Sequence, residues 1–467
     1  MSDTIAWVLA LACAALFVAV NAANLSQWFR GKDGGSGSPI VGVGALAGVG
    51  ALYLAPLPAV KDYLWLPVLV DLGTGPLLVF GALGLLVAGL RQAPFIRMLF
   101  RAAPVEPPAA PPLEHHVVGC ILGTAVGDAM GLACEGLSRT RQARMYPVLD
   151  GYRLFFHRGF TSDDTEHTCL LAQSLIETSG WSSEFVEKPF RSNLAWRLQF
   201  WLLALPAGIG MATGKALFKL WIGFPARSSG VNSAGNGPAM RSALIGVCHG
   251  DDATRMAALV RASTRITHTH PDAEQGAYAV ALAAHLAATS PHDVAPAEYL
   301  SRLEERIGAD GATMEDVRAV VASVEAGQTV EAFARSIGCG EGVSGYIRHT
   351  VPVVLHLWFT HQCAYQEAIL RLIRLGGDAD TTAAILGAII GSRVGKSGIP
   401  DVWLRDLWEW PRSVTWMERL GGILARSVTG TGTRGALAVN LPGLVVRNIL
   451  FLAVVLLHGF RRLLPPY

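Results

Sequence analysis

The sequence predicts an all-α domain preceded by about three membrane-spanning helices, and two observations support this fold class. The apolar fraction is 51% and the charged fraction only 16%, whereas ordinary soluble domains are roughly 25% charged. Over residues 115–426 the apolar residues recur at helical spacing, as at Ala277, Val280, Ala281 and Ala284, and strand-like alternation is scarce. A chain of 467 residues has room for both parts.

The first element is a predicted membrane region at residues 1–90. It contains three apolar runs, each close to the ~20 residues that cross a bilayer: Ile5–Val20, Ile40–Val60 and Leu72–Leu90. Basic residues from Arg91 onward follow the third run. The positive-inside rule then places the N-terminus outside and everything after Arg91 in the cytoplasm. The predicted location is the inner (plasma) membrane, with several spans.

A linker and the main domain follow. Residues 91–114 are expected to be a basic juxtamembrane and proline-rich linker, which ends in the sequence APVEPPAAPPLE. Residues 115–426 are expected to form the all-α domain. Within it Leu198–Phe224 is strongly apolar, but Pro206 and Gly208 interrupt the run. This segment is therefore predicted to form two core helices and not a membrane span.

The tail, residues 427–467, holds another apolar run. Arg447 interrupts it, and Arg461 and Arg462 follow it. As a span it would place the double arginine outside, against the positive-inside rule. The tail is therefore predicted to form a helix that lies in the cytoplasmic membrane interface.

Two classes of protein are excluded by charge and cysteine content. The formal net charge is +2, and no basic-aromatic array is present, so nucleic acid is not an expected partner. The seven cysteines form no C-x-x-C pair and lie mostly in apolar stretches. They indicate reduced, buried thiols, and neither a disulfide framework nor a zinc site.

Three acidic clusters stand out in the all-α domain. They lie in the sequences GTAVGDAMGLACEG, GFTSDDTEHT and RLGGDADTT. Their oxygen-bearing side chains are Asp128 and Glu135; Ser162, Asp163 and Asp164; and Asp378, Asp380 and Thr381. Asp128 and Glu135 are seven residues apart, so on a helix both would face one side.

Each cluster alone has an ordinary explanation, since Asp, Ser and Thr before an apolar run are common helix caps. A cap needs one such residue, however, and two of these clusters carry two acids plus hydroxyl groups. Adjacent carboxylates repel and are costly to desolvate unless a cation neutralises them. Hard oxygen ligands without clustered His or Cys favour Mg²⁺ or Mn²⁺.

Two further motifs are weaker. Small residues at 233–237, in the sequence GVNSAGNGPAMR, precede a predicted helix whose N-terminus would suit a phosphate, although a plain loop is the ordinary interpretation. His268 and His270 are two residues apart in RITHTHPD, which is not a zinc spacing. His268 is a candidate for a hydrogen bond to substrate or for a structural role.

Taken in order, the sequences GTAVGDAMG, TSDDT, SAGNGPAMR, THTHP and LGGDADTTAAILGAIIG resemble those of the ADP-ribosylglycohydrolases. The resemblance extends from about Val117 to Leu424 and leaves out the predicted membrane region and the tail. It implies a helical-bundle fold with two Mg²⁺ or Mn²⁺ ions at one end. It also implies hydrolysis of ADP-ribose from modified side chains or from related ADP-ribosyl compounds.

The resemblance also implies roles for residues that match the family's motifs. The implied metal ligands are Ser162, Asp163, Asp164, Asp378, Asp380 and Thr381. The implied catalytic acids are Glu135, Asp164 and Asp380, of which any could take a proton from the attacking water. The implied substrate-binding residues are Ser233, Ala234, Gly235, Asn236, Gly237, His268, Gly345 and Tyr346. One departure from the family is Ser162, which stands where threonine is common.

The expected function is therefore that of a membrane-anchored, metal-dependent hydrolase of the N- or O-glycosidic bond of ADP-ribose. Its expected partners are an ADP-ribosylated protein or ADP-ribosyl small molecule and the lipid bilayer. An alternative is a membrane-tethered ADP-ribose receptor without turnover, which would not need intact metal acids. A transporter accessory is a third interpretation, and the runs lack the paired buried charges expected of one. The modified residue and the oligomeric state are not fixed by the sequence.

Overall fold

The computed structural model describes residues 3–29, 43–55, 64, 66–70, 112–431 and 435–466. Within these residues the secondary structure consists of α-helices, short 3₁₀ turns and isolated bridges, and no β-strand occurs. The predicted all-α class is therefore confirmed for the described part of the chain.

The N-terminal region contributes three described helices. They are α1 (Asp3–Phe29), α2 (Val43–Leu54) and α3 (Leu66–Val70), with α1 packed on α2 and α2 on α3. Three membrane spans are not supported, because the described residues of this region hold only two apolar stretches, Leu9–Ala22 within α1 and Ala45–Leu54 within α2. The third predicted span, Leu72–Leu90, lies outside the described residues.

The helices of the main domain follow from Pro112. They are α4 (Pro112–Gly131), α5 (Arg139–Met145), α6 (Asp163–Thr178), α7 (Glu187–Leu203), α8 (Met211–Trp221), α9 (Ala243–His249), α10 (Ala253–Thr267), α11 (Pro271–Thr289), α12 (Pro296–Ile307), α13 (Ala312–Glu325), α14 (Val330–Ser336), α15 (Ile347–Thr360), α16 (Tyr365–Ile373), α17 (Ala379–Val394), α18 (Asp401–Asp406), α19 (Val414–Val428) and α20 (Leu441–Arg462). The predicted core helices in Leu198–Phe224 are confirmed as the end of α7 and the whole of α8.

The centre of the domain is the helix pair α4 and α17, which pack with backbone against backbone. A Cβ atom at Gly119, Gly123 or Gly127 would lie 2.1 Å from a carbonyl oxygen of α17. These glycines are spaced by four residues, so they form one face of α4. On α17 the carbonyls that meet them belong to Gly391, Gly387 and Ala383. The close contact fixes the C-terminal end of α4 beside the N-terminal end of α17.

Two described helices are long and apolar enough to cross a membrane, and they differ in burial. The segment Pro112–Cys134, which contains α4, is 94% buried inside the domain and is therefore a core helix. The segment Leu441–Arg462, which is α20, is only 33% buried.

Helix α20 lies against the domain through polar groups on its inner face. Asn448 is fully buried and donates a hydrogen bond from Nδ2 to the carbonyl of Ala204 at 2.7 Å. Arg447 is buried as well, and its guanidinium lies 4.3 Å from the centre of the Phe451 ring. The predicted tail helix is therefore present, with one face on the domain and the other exposed.

Candidate active site

The acidic site begins where Asp128 of α4 meets the start of α6. Asp128 is fully buried, and its carboxylate accepts hydrogen bonds from the backbone N–H groups of Ser162 and Thr165 at 2.9 and 3.2 Å. It also accepts a hydrogen bond from the Thr165 hydroxyl at 2.5 Å. These contacts satisfy the orphan N–H groups of the first turn of α6. Asp128 is therefore a structural anchor that holds the Ser162–Asp164 segment in place.

The first turn of α6 presents the second cluster. Ser162 is the N-cap residue, and its hydroxyl oxygen accepts from the Asp164 N–H at 3.3 Å. The same hydroxyl donates to Oδ2 of Asp164 at 3.0 Å, and the Thr381 hydroxyl donates to Oδ2 at 3.2 Å. The second and third clusters, more than 200 residues apart in the chain, therefore meet at Asp164.

The third cluster is presented by a sharp turn at the start of α17. Gly376 and Gly377 have φ of +77° and +83°, which favours glycine. A Cβ at Gly377 would also lie 2.1 Å from the Val343 carbonyl oxygen. The Asp378 N–H donates to that carbonyl at 2.6 Å, and no side chain caps α17. Neither Asp378 nor Asp380 is therefore used as a helix cap.

Glu135 reaches the site by a different route from the one expected. Helix α4 ends at Gly131, a 3₁₀ turn covers Leu132–Cys134, and Glu135 follows with extended backbone. The expectation that Asp128 and Glu135 share one helix face is therefore wrong, because the helix ends between them. Glu135 still lies beside the third cluster, because the N–H of the next residue, Gly136, donates to the Gly377 carbonyl at 2.7 Å.

Six carboxyl groups of these segments have pKa values that shift in the same direction; they are Asp128, Glu135, Asp163, Asp164, Asp378 and Asp380. Burial, followed by repulsion from neighbouring carboxylates, raises the pKa values of Asp163, Asp164 and Asp380 well above the ordinary range. Burial raises the pKa of Asp128 to about 6 against its four hydrogen bonds. Desolvation and the Asp378 charge raise the pKa of Glu135 to about 7, and solvent at its exposed position screens part of the repulsion.

Two carboxylate oxygens of this cluster have no hydrogen-bond partner, and they indicate whether divalent metals fit the site. Oδ1 of Asp164 and Oδ1 of Asp380 are buried, and each lacks a hydrogen-bond partner. Among the described residues no Lys, Arg or His forms an ion pair with any of the six carboxylates. The donor set is all oxygen, which suits Mg²⁺ or Mn²⁺. No group of three or more His, Cys, Asp and Glu in the described residues is already arranged around a metal position.

The predicted substrate loop lies directly beside the acids. The Asn236 N–H donates to the Gly345 carbonyl at 2.9 Å, and the Ile347 N–H donates to the Ala234 carbonyl at 2.9 Å. Gly235 and Tyr346 pair in an isolated antiparallel bridge. Nδ2 of Asn236 donates to Oδ2 of Asp378 at 2.7 Å. The segments 233–237 and 345–346, predicted separately, therefore form one wall next to the third cluster.

His268 lies against the same loop. A Cβ atom at Gly235 would lie 3.1 Å from its Nε2 atom, and one at Gly237 would lie 3.1 Å from its Cε1 atom. Its Nδ1 atom is 2.9 Å from the Thr267 hydroxyl. Burial and the nearby Arg241 lower the pKa of His268 to about 3, so the ring is neutral at physiological pH. His270 instead caps α11, where its Nδ1 atom accepts from the Asp272 N–H.

The loop is followed by one turn of 3₁₀ helix, Ala239–Arg241, with α9 starting at Ala243. The helix N-terminus that the sequence placed directly after Gly237 is therefore absent there. The segment is held instead by Arg241, which is fully buried and donates to the Gly237 carbonyl at 2.9 Å. Sequence reasoning missed this role, although a charged residue in the apolar sequence PAMRSALIGV was a usable signal.

A second buried charge was missed on the α6 side. Glu166, one turn into α6, forms an ion pair with Arg412 at 2.5 Å and accepts a hydrogen bond from Nε1 of Trp201 at 2.5 Å. All three side chains are buried. The acid that ends the sequence DDTE is therefore used for structure, and the sequence gives no sign of the distant arginine.

Comparisons with known proteins show which family the main domain resembles. The sequence profile described as ADP-ribosylglycohydrolase matches residues 109–434. An uncharacterised protein of Archaeoglobus fulgidus is 31% identical over 63% of this chain and 92% of its own length. The ADP-ribosyl-[dinitrogen reductase] glycohydrolase of Rhodospirillum rubrum is 26% identical over 64% of this chain and 92% of its own length.

A solved structure, that of an ADP-ribosylglycohydrolase-related protein complex, is similar too. It matches with a TM-score of 0.51 and 27% identity over 68% of this chain and 99% of its own. The residues matched by the family profile include all six clustered carboxyl groups and the substrate loop. This chain therefore belongs to the ADP-ribosylglycohydrolase family and is a hydrolase that acts on glycosidic bonds of ADP-ribose.

Proposed function

We propose that this protein is a divalent-metal-dependent hydrolase that removes ADP-ribose from a modified protein or a related ADP-ribosyl compound, and that it works at a membrane surface. The observation that carries the metal dependence is the pair of buried, unpaired oxygens of Asp164 and Asp380 among six carboxyl groups. Such a cluster is costly to desolvate unless cations neutralise it.

The residues that we propose to hold the metals lie at the starts of α6 and α17. They are Ser162, Asp163, Asp164, Asp378, Asp380 and Thr381. Two Mg²⁺ or Mn²⁺ ions, when bound there, would neutralise the carboxylates and lower the pKa of a water molecule. Asp128 holds the α6 residues by their backbone, and Asn236 holds Asp378 by its side chain.

The general base is proposed to be Glu135. Cleavage of a glycosidic bond builds positive charge at the anomeric carbon, and an attacking water must lose a proton. A base works best when its pKa is near the working pH, and the pKa of Glu135 is raised to about 7. Glu135 also lies at the exposed edge of the cluster, where water and substrate have access.

The substrate is proposed to lie along the wall formed by residues 233–237 and 345–346. Neutral His268 behind Gly235 and Gly237 can accept or donate one hydrogen bond to a ribose or phosphate group. The relative from Rhodospirillum rubrum carries the name of an enzyme acting on ADP-ribosyl-dinitrogen reductase. By analogy we propose an ADP-ribosylated protein as the first substrate class to test.

The test is release of ADP-ribose from defined ADP-ribosyl peptides by the full chain in detergent, with Mg²⁺, with Mn²⁺ and with a chelator. Turnover is expected only with metal, and Asp380→Asn should lower kcat by at least about 100-fold, on the scale of groups that act as a unit. The matched control is Asp401→Asn, an exposed aspartate in the first turn of α18, which should retain activity.

Two outcomes would contradict the proposal. Turnover that persists with the chelator would remove the metal dependence. Tight binding of ADP-ribose without turnover on any peptide would favour the alternative of a membrane-tethered receptor. Calorimetry with free ADP-ribose separates this case from a protein that binds nothing.

Membrane association is supported by the outer face of α20. Its exposed apolar side chains are Val446, Ile449, Leu450, Leu457 and Phe460. Exposed aromatic side chains lie beside this helix, since Trp410 contacts Gly443, and Trp408 packs on Phe160, which stacks on Phe451. An apolar face with aromatic neighbours and the terminal Arg461 and Arg462 is typical of a helix lying in a membrane interface. We propose the cytoplasmic face of the inner membrane as its location.

A further inference from the structure

Helix α20 lies beyond residues 109–434, the part of the chain that the family profile matches. Its inner face nevertheless contacts the domain on both sides of the acidic cluster. Arg447 contacts Thr161, the residue directly before Ser162. Near the other end of the helix, His458 and Arg462 contact Ala133, two residues before Glu135.

The first set of contacts is a buried network around Thr161. Nη2 of Arg447 donates to the Thr161 carbonyl at 2.6 Å and to Oε2 of Glu409 at 2.6 Å. The same Glu409 oxygen accepts from the Thr161 N–H at 3.1 Å and from its hydroxyl at 2.9 Å. Arg447 and Glu409 are both almost completely buried. Thr161 is therefore held at its N–H, its carbonyl and its side chain.

The second set of contacts lies at Ala133, in the 3₁₀ turn before Glu135. Nη2 of Arg462 donates to the Ala133 carbonyl at 2.9 Å, and Nε2 of His458 lies 3.0 Å from the same oxygen. The Arg462 carbonyl in turn accepts a hydrogen bond from the Arg141 guanidinium of α5. The end of α20 is thereby attached to the segment that carries Glu135.

Packing an apolar helix against the domain would not require these buried polar contacts. A buried ion pair gains little net stability over apolar packing, and breaking it by removing one partner leaves an uncompensated buried charge. What such a network does supply is a fixed backbone position. The position it fixes is Thr161, from which the Ser162–Asp164 segment begins.

We propose that α20 is a positioning element of the active site, and that Arg447, acting through Thr161 and Glu409, holds the Ser162–Asp164 segment in its metal-binding arrangement. Arg462 and His458 hold the segment that leads to Glu135 in the same way. The inference rests on the proposed metal-dependent hydrolysis and extends it to residues outside the matched region.

The main variant is the double substitution Arg447→Met with Glu409→Gln in the full chain, which removes the hold on the Thr161 carbonyl and leaves no buried unpaired charge. Outer contacts that orient metal ligands typically contribute 10- to 100-fold in metal affinity or activity. We therefore expect Mn²⁺ affinity, measured by calorimetry, and kcat to fall at least about tenfold, with KM changed less than about threefold. Arg447→Lys keeps a donor and the positive charge, and should retain most of both.

A control of matched stability separates positioning from loss of folding. Leu444→Ala removes a buried apolar side chain from α20, one turn before Arg447. It should lower Tm and leave Mn²⁺ affinity and kcat within about twofold of the wild type, measured well below Tm. At the other end, Arg462→Gln should lower kcat and Arg461→Gln, on an exposed neighbour, should not.

The outcomes are distinguishable from failure of the proposed function. A wild-type protein that neither binds Mn²⁺ nor releases ADP-ribose would overturn the proposed function. An active wild type whose double variant keeps Mn²⁺ affinity and kcat would overturn this inference alone. Equal losses in the double variant and in Leu444→Ala would also overturn it, because the effect would then follow stability and not position.

Discussion

At the scale of single residues, carboxyl groups of one site serve opposite purposes. Asp128 has its carboxylate filled by hydrogen bonds from Ser162 and Thr165, so it orders the backbone and is not free for a cation. Asp164 and Asp380 each keep one buried oxygen without a partner. The difference between an anchor and a ligand candidate is therefore visible only in the contacts.

The first residue-scale prediction concerns Glu135→Gln. The amide keeps the shape of the side chain and cannot take a proton, so kcat should fall by about 100-fold or more, within the range of general-base catalysis. Affinity for ADP-ribose should change less than about threefold, because the residues at 233–237 are untouched. Single-turnover release of ADP-ribose and calorimetry measure the two quantities. A variant that loses binding and keeps kcat would contradict the assignment.

The second residue-scale prediction concerns pH in metal-free protein. The folded-state pKa values of the cluster are raised, so the folded protein binds more protons than the unfolded chain above pH ~4. The free energy of unfolding contributed by these groups therefore decreases as pH rises, and the pKa values of about 6 for Asp128 and about 7 for Glu135 place the window between pH ~4 and ~7. Asp164→Asn should gain stability relative to wild type across that window.

Urea denaturation with a chelator at several pH values tests this dependence. Saturating Mg²⁺ should remove most of the difference between the two proteins, since a cation neutralises the wild-type cluster and the variant binds it poorly. A stability difference that is constant from pH 4 to 7 would contradict it.

At the residue scale the sequence marked candidate residues of this site and missed the residues that support them. Paired acids beside hydroxyl residues marked the second and third clusters, because one helix cap does not need two carboxylates. The position of Glu135 was missed because no local pattern shows that α4 ends at Gly131. The supports Glu409 and Arg447 were missed because each contacts the site from a distant part of the chain, whereas Arg241 lies only four residues after Gly237 and was overlooked.

At the scale of elements, the site depends on how closely α4 and α17 approach. Glycine backbones along α4 touch carbonyl groups of α17 with no side chain between them. This packing places the acids at the two helix ends within one cluster. The spacing of the glycines is visible in the sequence, but the partner helix begins some 250 residues later and is not indicated by it.

The element-scale prediction is that Gly127→Ala disrupts this contact. The new Cβ would lie 2.1 Å from the Ala383 carbonyl oxygen, so the helices must separate. Overpacking of this kind costs about 1–3 kcal/mol, occasionally more, against a gain in helix propensity of up to ~1 kcal/mol. We therefore expect Gly127→Ala to lower Tm and to lower the affinity for Mn²⁺.

Gly459→Ala on α20 is the matched control, because a methyl group at this position would meet no neighbouring atom within 4 Å. This substitution gains the helix propensity without a clash, so Tm should stay constant or rise. Equal Tm values for the two variants would show that the α4–α17 contact is looser than described.

At the scale of the whole molecule, the two faces of α20 have different surroundings. Its inner face contacts the acidic site through Arg447, and its outer face exposes apolar side chains, among them Leu450 and Leu457 at 60% and 64% exposure. The sequence predicted a tail helix suited to a membrane interface. It did not predict that the arginine interrupting the apolar run would be buried against the domain.

The whole-molecule prediction is binding of the full chain to vesicles that contain anionic lipid. Leu450→Glu with Leu457→Glu should lower the fraction that floats with the vesicles, because charged groups replace the apolar face. Val402→Glu, at an exposed apolar position on α18, is the control and should change nothing. Unchanged flotation of the double variant would assign any membrane attachment to residues 1–111 instead.

The contact between Arg447 and the Thr161 carbonyl also has a consequence for biosynthesis. The two residues are 286 positions apart in the chain. At a translation rate of about 5–20 residues per second, the ribosome adds Arg447 roughly 15–60 s after Thr161. During that interval the Ser162–Asp164 segment lacks the contact from Arg447, so a nascent chain would acquire hydrolase activity only after α20 has emerged and packed against the domain.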